Sequence, residues 1–325
     1  MPKFSYLVLS LGITPSVYYY FQTRANLQND VSIDCIDVTR SNLQKLTVNK
    51  NTVVVINRYA GIRGLMWLYR HHHQLAKVAY FIDDDMQNAY RATELSWWYG
   101  IKTTLKFQVS WWVIRSMSGV LWCSTQALAN RFPNIDTQVI PPVCLPTVNR
   151  NAEESPVYFY HGTWAHRHEI AWLVPIVREI QNRFPGHVFE IIGNRKVKKM
   201  FADIPRVRVL SGMSWEKYLE YSGKVHYQVG LAPCFNTPFN QTRSHTKLFD
   251  IARAGAVGVY SNSSPYQDVI MDGQTGILVE NNTQDWIEAI SKLLHASSEN
   301  RKHIHENALT WCNYNIERDS FYKFY

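Results

Sequence analysis

The sequence predicts two doubly wound α/β domains of similar size, and three observations lead there. Short apolar, strand-like runs alternate with helix-length segments from one end of the chain to the other. The runs are near-continuous in Val, Ile and Tyr, as a parallel sheet covered on both faces requires. A proline-rich seam, "PPVCLPTVNRNAEESP" at 141–156, divides the alternation into two halves. At 325 residues the chain is long for one domain and comfortable for two.

In the first half the predicted strands are "YLVLSL" (6–11), "VSIDCIDV" (31–38), "TVVVIN" (52–57), "KVAYFID" (77–83), "GVLWCS" (119–124) and "TQVIPP" (137–142). Helical segments at 65–74 and 102–117 fall between them. The second half repeats the plan with "VYFYHG" (157–162), "VFEIIG" (188–193), "VRVLSG" (207–212), "VHYQVGLAP" (225–233), "AVGVYS" (256–261) and "TGILVE" (275–280). Here the helices are expected at 170–184 and 285–295. The domains are expected at 1–146 and 155–311, with a closing helix at 312–325 returning to the first. In such sheets ligands lie beyond the carboxyl ends of the strands, so chemistry is sought in the strand-end loops.

Apolar residues make up 46% of the chain and charged ones 18%, a balance that builds cores and excludes a disordered chain. The net charge of +8 is uneven: residues 1–150 carry 15 Lys/Arg against 8 Asp/Glu, and the remainder is nearly neutral. The basic half therefore expects an acidic partner: phosphate, anionic lipid or nucleic acid. No nucleic-acid motif supports the last. The 5 cysteines are scattered, with no C-x-x-C, which argues against a disulfide framework and for a reducing compartment, the cytoplasm. The opening "MPKFSYLVLSLGITPS" lacks a small-residue cleavage site and reads as a first buried strand. No window reaches the ~20 apolar residues of a transmembrane helix. Contact with the inner face of a membrane, through the basic half, is compatible with this.

The most informative stretch runs from 235 to 294. A polar, basic loop, "FNTPFNQTRSHTK", leads into an amphipathic helix, a turn at Gly255, a strand and a Ser/Asn loop. "KLFDIARAGAVGVYS" and "DVIMDGQTGILV" resemble, element by element, the C-terminal domain of GT-B glycosyltransferases, particularly the retaining enzymes of family 4. A weaker likeness covers "YFYHGTWAHRHEI" and "FEIIGNRK", similar to the first strand–loop units of the nucleotide-binding domain. "YFIDDDM" and "GVLWCSTQALANRF" look like the acceptor domain of transferases that build bacterial surface polysaccharides. The resemblance implies a GT-B fold: two Rossmann-like domains with a cleft between them, donor in the second, acceptor in the first. It also implies retention of configuration, no cofactor and no divalent metal.

The chemistry agrees with that likeness. Breaking the bond of a nucleotide diphosphate-sugar leaves charge on the β-phosphate, which a helix N-terminus and nearby cations stabilise. "NQTRSHTK" offers Thr242 or Ser244 as a cap, Arg243 and Lys247 as cations, and Asp250 one turn later for ribose hydroxyls. The family's E-x7-E spacing holds Thr242 in place of its first acid. Its Arg-x4-Lys pair is replaced by Thr163 and His168, so Arg167 or Arg195 substitutes. Gly162, Thr163, Gly193, Arg195, Arg243, Ser244, Lys247 and Asp250 are thus the expected donor-binding residues.

Asp83, Asp84 and Asp85 end a hydrophobic strand. They read as acceptor-binding groups, with Asp84 as a base, or as a helix cap near Met86. D-x-D is also how GT-A transferases hold a divalent ion, which makes Asp83 and Asp85 a metal pair in the competing reading. His161, directly after a strand, is expected to donate to the phosphate or the reacting sugar, with Lys247 and Asp84 as its catalytic companions. His71, His72 and His73 point different ways along a helix and read as polar surface. The aromatic segment "ELSWWYGIKTTLKFQVSWWVIRSM" (94–117) suits either a membrane interface or a helix covering the first sheet; the spacing favours core. The chain is therefore expected to move a sugar from a nucleotide diphosphate-sugar to a glycan or lipid-linked acceptor. The alternatives are a metal-dependent GT-A enzyme and an inactive sugar-nucleotide-binding homologue.

Overall fold

The computed structural model describes residues 4–27, 32–148 and 153–317, which form two compact units. The first takes in the chain up to Val143 together with Thr242–Ser244; the second starts at Cys144, inside the proline-rich seam, and holds the rest of the described chain.

In the first unit, β1 (Ser5–Ser10) leads through α1 (Pro15–Val17), a π-helical turn at Tyr18–Gln22 and α2 (Thr23–Leu27) to β2 (Ser32–Asp37). Then come β3 (Thr52–Asn57), α3 (Gly61–His71), β4 (Lys77–Ile82), α4 (Trp97–Ser116), β5 (Val120–Cys123), α5 (Gln126–Ala129) and β6 (Thr137–Val139). All pairings are parallel, in the order β2-β1-β3-β4-β5-β6. Every residue of β3 is buried. Its Val and Ile side chains gain about 1.5–3 kcal/mol each from that burial, which explains the unbroken apolar run. Val54 and Ile56 meet Trp67 and Leu68 of α3 and Phe107 and Ile114 of α4 in one core. On the opposite face Tyr20 and Phe21 pack on Phe81 at 4.5 and 5.1 Å.

The second unit repeats the design: β7 (Ser155–Tyr160), α6 (Arg167–Arg183), β8 (Val188–Ile192), α7 (Arg195–Met200), β9 (Val207–Leu210), α8 (Trp215–Ser222) and β10 (Tyr227–Ala232). It continues with α9 (Thr246–Arg253), β11 (Val257–Ser261), β12 (Ile277–Val279), α10 (Thr283–His295) and α11 (Ser298–Glu317). The strand order is β12-β11-β10-β7-β8-β9, again parallel. Ile170, Leu173 and Val177 of α6 and Trp286, Ile290 and Leu293 of α10 cover one face of the sheet. Gly255 ends α9 with φ of 73°, where a side chain would be strained, and a Cβ would sit 2.4 Å from the His226 ring. That tight turn swings the chain from α9 into β11.

Two expectations are corrected and a third holds in part. No helix starts near Met86; the chain bends there and makes only a short 3₁₀ turn at Ala89–Arg91. The aromatic segment covers the first sheet and packs Trp111 against its core, but it leaves Trp97, Trp98 and Trp112 of α4 exposed. The inward face of α4 is instead Gly100, Thr103, Thr104, Phe107, Ser110 and Ile114. The GT-A alternative fails on architecture, since a second complete parallel sheet is present. Of the closing segment, residues 318–325 lie outside the described residues. Among the described residues no helix is long and apolar enough to cross a membrane.

Candidate functional site

Beyond β4 the three aspartates diverge. Asp83 accepts hydrogen bonds from Ser16 Oγ and from an Arg58 guanidinium nitrogen at 2.8 Å. Asp84 accepts from that same nitrogen at 3.0 Å, and Arg243 Nε lies 3.4 Å from its other oxygen. Asp85 turns away and is buried, accepting from the backbone N–H and side-chain amide of Asn88 at 3.2 and 3.1 Å. Asp83 and Asp84 therefore face one shared cation, while Asp85 closes a turn. The expectation that all three face an acceptor is corrected for Asp85. The Asp83/Asp85 metal pair is corrected on the same geometry, because the two carboxylates serve different partners.

The sequence reading missed Arg58, the residue that organises this end. It follows β3 directly and adopts φ of 56°, a left-handed conformation that costs a side-chain-bearing residue about 1–2 kcal/mol. Strand β4 holds it there: its N–H donates to Phe81 O at 2.9 Å and its carbonyl accepts from Tyr80 OH at 3.0 Å. Strain maintained in this way marks a position where the side chain's aim matters. Burial pushes the Asp83 pKa above the usual aspartate value; Arg58 opposes the rise and Asp84 adds to it. Burial works against the charge on Arg58, yet the two aspartates hold its pKa above normal.

The segment Thr242–Ser244 belongs to this unit. Thr125 Oγ donates to Thr242 O at 2.8 Å, and Tyr20 OH meets Ser244 Oγ at 2.6 Å. Burial, with Asp83 nearby, raises the Tyr20 pKa, so its hydroxyl keeps its proton. Ser244 thus does not cap α9, and neither does Thr242; the residue before the helix is His245, whose side chain makes no capping bond. Burial lowers the His245 pKa to about 4.

In the second unit, Lys247 stands in the first turn of α9. Its Nζ donates to the His161 carbonyl at 2.8 Å and lies 4.8 Å from the centre of the Tyr160 ring. This is the carboxyl end of β7, whose neighbours are β10 and β8, so Lys247 sits at the switch point of the sheet. Asp250, one turn further along α9, accepts from Arg253 at 3.1 Å. Thr163 and Arg195 are exposed at the ends of β7 and β8. Gly162 and Gly193 occupy close approaches: a Cβ would come within 2.6 Å of the Tyr160 ring at Gly162 and within 2.4 Å of Val197 at Gly193.

His161 takes a different place from the one its sequence position suggests. Its ring is buried, with Nε2 3.0 Å from Glu190 and Nδ1 3.3 Å from Tyr218 OH. Glu190, on β8, also accepts from Arg208 Nε at 2.6 Å, Tyr221 OH at 2.8 Å and Tyr227 OH at 2.9 Å. Burial lowers the His161 pKa against the pull of Glu190, which leaves a neutral ring donating from Nε2 and accepting at Nδ1. Both nitrogens are committed inside the unit. What His161 offers at the strand end is its carbonyl, which positions Lys247. Glu190 was also missed, although an acid in the middle of a buried strand demands partners and was visible in "VFEIIG".

No family model matches the chain, and no curated protein matches it in sequence. Solved structures do. HepE from Anabaena, solved with UDP and glucose, superposes with a TM-score of 0.64 at 10% identity, over 98% of this chain and 96% of its own. The pneumococcal O-GlcNAc transferase GtfA, solved with UDP and GlcNAc, gives 0.60 at 16% identity, over 86% of this chain and 57% of its own. Sucrose-phosphate synthase from Thermosynechococcus elongatus gives 0.58 at 15%, over 83% and 73%. The chain spans little more than half the length of GtfA and nearly all of HepE. At these identities the likeness is one of fold, and the fold is GT-B: two Rossmann-like units, each with its own parallel sheet.

Proposed function

We propose that this chain is a glycosyltransferase that moves a sugar from a nucleoside diphosphate-sugar to a glycan or lipid-linked acceptor. The observation that carries the reading is Lys247. It is a cation in the first turn of α9, held at the carboxyl end of β7 by the His161 carbonyl, on a fold whose solved neighbours hold UDP and sugars. A diphosphate placed there meets a lysine ammonium and the positive end of a helix, the two groups best suited to a leaving group that gains negative charge. Asp250, one turn along α9, suits ribose hydroxyls, and Thr163, exposed just beyond β7, suits phosphate oxygens. Arg195 adds a second cation beyond β8.

In the first unit, Asp84 receives the acceptor hydroxyl and takes its proton as the new glycosidic bond forms. Asp83, itself held by Ser16, holds Arg58 and so keeps Asp84 aimed. Arg243 rests on Asp84 and helps to hold it in place. Retention of configuration and independence of divalent metal complete the proposal. Retention is read from the anomeric NMR signal of the product, and metal independence from activity that survives a chelator.

The deciding experiment is a thermal-shift panel of nucleoside diphosphates and their sugars, followed by donor turnover. A ligand at 100 times its Kd adds about 2.7 kcal/mol to stability. Stabilisation by UDP or a UDP-sugar, lost in Lys247→Ala, supports the reading; no response to any diphosphate overturns it. Turnover by the purified protein separates an enzyme from a homologue that only binds.

A further inference from the structure

We infer that the outer faces of α3 and α4 form a docking surface for an anionic lipid bilayer. On α4 the residues Trp98, Lys102, Leu105, Val109 and Trp112 recur at spacings of four, three, four and three, which places them on one stripe of the helix. That stripe faces outward: Trp112 is 74% exposed, Trp98 65% and Val109 57%. On α3, Ile62, Met66 and Tyr69 repeat the pattern, with Ile62 77% exposed. The two helices lie side by side over the same core, and Lys106 of α4 reaches across the Tyr59 ring just before α3. Their stripes therefore join into a single apolar face rather than scattered surface residues.

The tryptophans cannot rotate inward. At Gly100 a Cβ would sit 2.4 Å from the Ala89 carbonyl, so α4 rests against backbone there. Thr104 is bonded on both sides, donating to Met86 O at 3.2 Å and accepting from Tyr90 N–H at 3.2 Å. The inward face is fixed by Gly100 and Thr104 together with the core residues Phe107 and Ile114, so Trp98 and Trp112 are left outside by construction.

Charge selects the occupant. Exposed on these helices are Arg63, Arg70, Lys102, Lys106 and Arg115, and neither helix contains an Asp or a Glu. A second copy meeting this face through its own would set these cations against themselves. A surface of anionic headgroups matches them, with Trp and Tyr at the level where one end of the ring is apolar and the other wet. Tyr99, half exposed at the start of α4, lies close enough to Arg58 to act on its ionisation, so the aromatic face runs up to the Asp83–Asp84 end of the first unit. A substrate anchored in the bilayer would meet those groups first. The inference does not depend on the donor reading, because it is measured without turnover.

The test is co-sedimentation of the full chain with vesicles of phosphatidylcholine alone and of equal parts phosphatidylcholine and phosphatidylglycerol. Binding to the anionic vesicles only, weakened by added salt, is expected. Lys102→Gln with Arg115→Gln lowers the partition coefficient roughly 30-fold, each charge counting a few-fold at such a surface. Trp98→Ser and Trp112→Ser each lower it roughly tenfold or more. Unchanged melting temperatures show that these variants fold. Absence of binding to anionic vesicles overturns the inference, as does equal binding by folded variants. A concentration-dependent dimer abolished by Trp112→Ser, without vesicle binding, overturns it in favour of a second copy.

Discussion

Glu190 lies in the middle of a parallel strand in the second unit, the Asp83–Asp84 pair just beyond one in the first, and these acids are treated in opposite ways. Glu190 is wholly buried and surrounded by donors from His161, Arg208, Tyr221 and Tyr227. Burial alone would raise its pKa, but His161, Tyr221 and Arg208 outweigh burial and hold it below the usual glutamate value. Asp83 and Asp84 share one Arg58 guanidinium nitrogen, with Ser16 also on Asp83 and Arg243 beside Asp84, and both partly face solvent. One acid is closed in by its donors, while the other two are reached by solvent as well as by theirs. A carboxylate sealed among its donors holds a structure together; one that solvent still reaches can bind something else.

The largest break in this comparison comes from Glu190→Ala. Removing the shared acceptor strands the buried His161 ring and two tyrosine hydroxyls, while half-exposed Arg208 turns to solvent; buried polar groups left unpaired cost about 1–3 kcal/mol each, roughly 3–5 kcal/mol together. The second unit should lose roughly 10 °C in melting temperature, read by differential scanning calorimetry. A loss under a degree or two would show that the network is not the fastener proposed.

Arg58 sharpens the contrast next. Arg58→Ala keeps the left-handed backbone and removes the cation, whereas Arg58→Gly also removes the strain. The glycine variant should therefore be more stable than the alanine variant by about 1 kcal/mol, a difference that chemical denaturation resolves. Both should lose acceptor-dependent transfer by roughly 100-fold, because Asp84 is no longer aimed. Equal stabilities would mean that the backbone relaxes once the side chain is gone.

How much of this was legible follows from what each residue interacts with. The strands were legible because a doubly covered sheet writes near-continuous apolar runs, and β3 and β4 need nothing beyond their neighbours. The places of Lys247 and Asp250 on α9 were legible because they sit at fixed offsets in a strand–helix unit. Arg58 was not: its significance lies in a bond to residues 25 and 26 positions later, which no local pattern encodes. That α4 covers the sheet was legible, but which of its sides faces outward was not, for a definable reason. Apolar residues line both sides of that helix, so helical spacing alone cannot say which side faces the sheet. Gly100 and Thr104, small residues at the inward positions, held the answer. His161 was placed at the right strand end, but whether a ring turns out toward a ligand or in toward Glu190 depends on the next strand.

The smallest effect distinguishes the two kinds of acid by sign. Glu190 has a folded pKa below its unfolded value of about 4.3, so it contributes stability present above that value and lost as pH falls through the folded pKa. Glu190→Gln should thus be less stable than the parent at neutral pH, with the two melting curves converging below about pH 4. Asp83 runs the other way. Its folded pKa lies above the unfolded value of about 3.9, so the folded protein holds that proton more tightly. Its ionised form opposes folding at neutral pH, and the penalty fades as pH falls through the folded pKa. Asp83→Asn should therefore raise the melting temperature at neutral pH, by no more than about 4 °C, and match the parent in acid. His161, whose lowered pKa works against stability below about 6.5, is present in the parent and in Asp83→Asn alike and cancels from that difference. Opposite signs at neutral pH with convergence in acid would separate a fastened acid from a poised one; the same sign in both variants would dissolve the distinction.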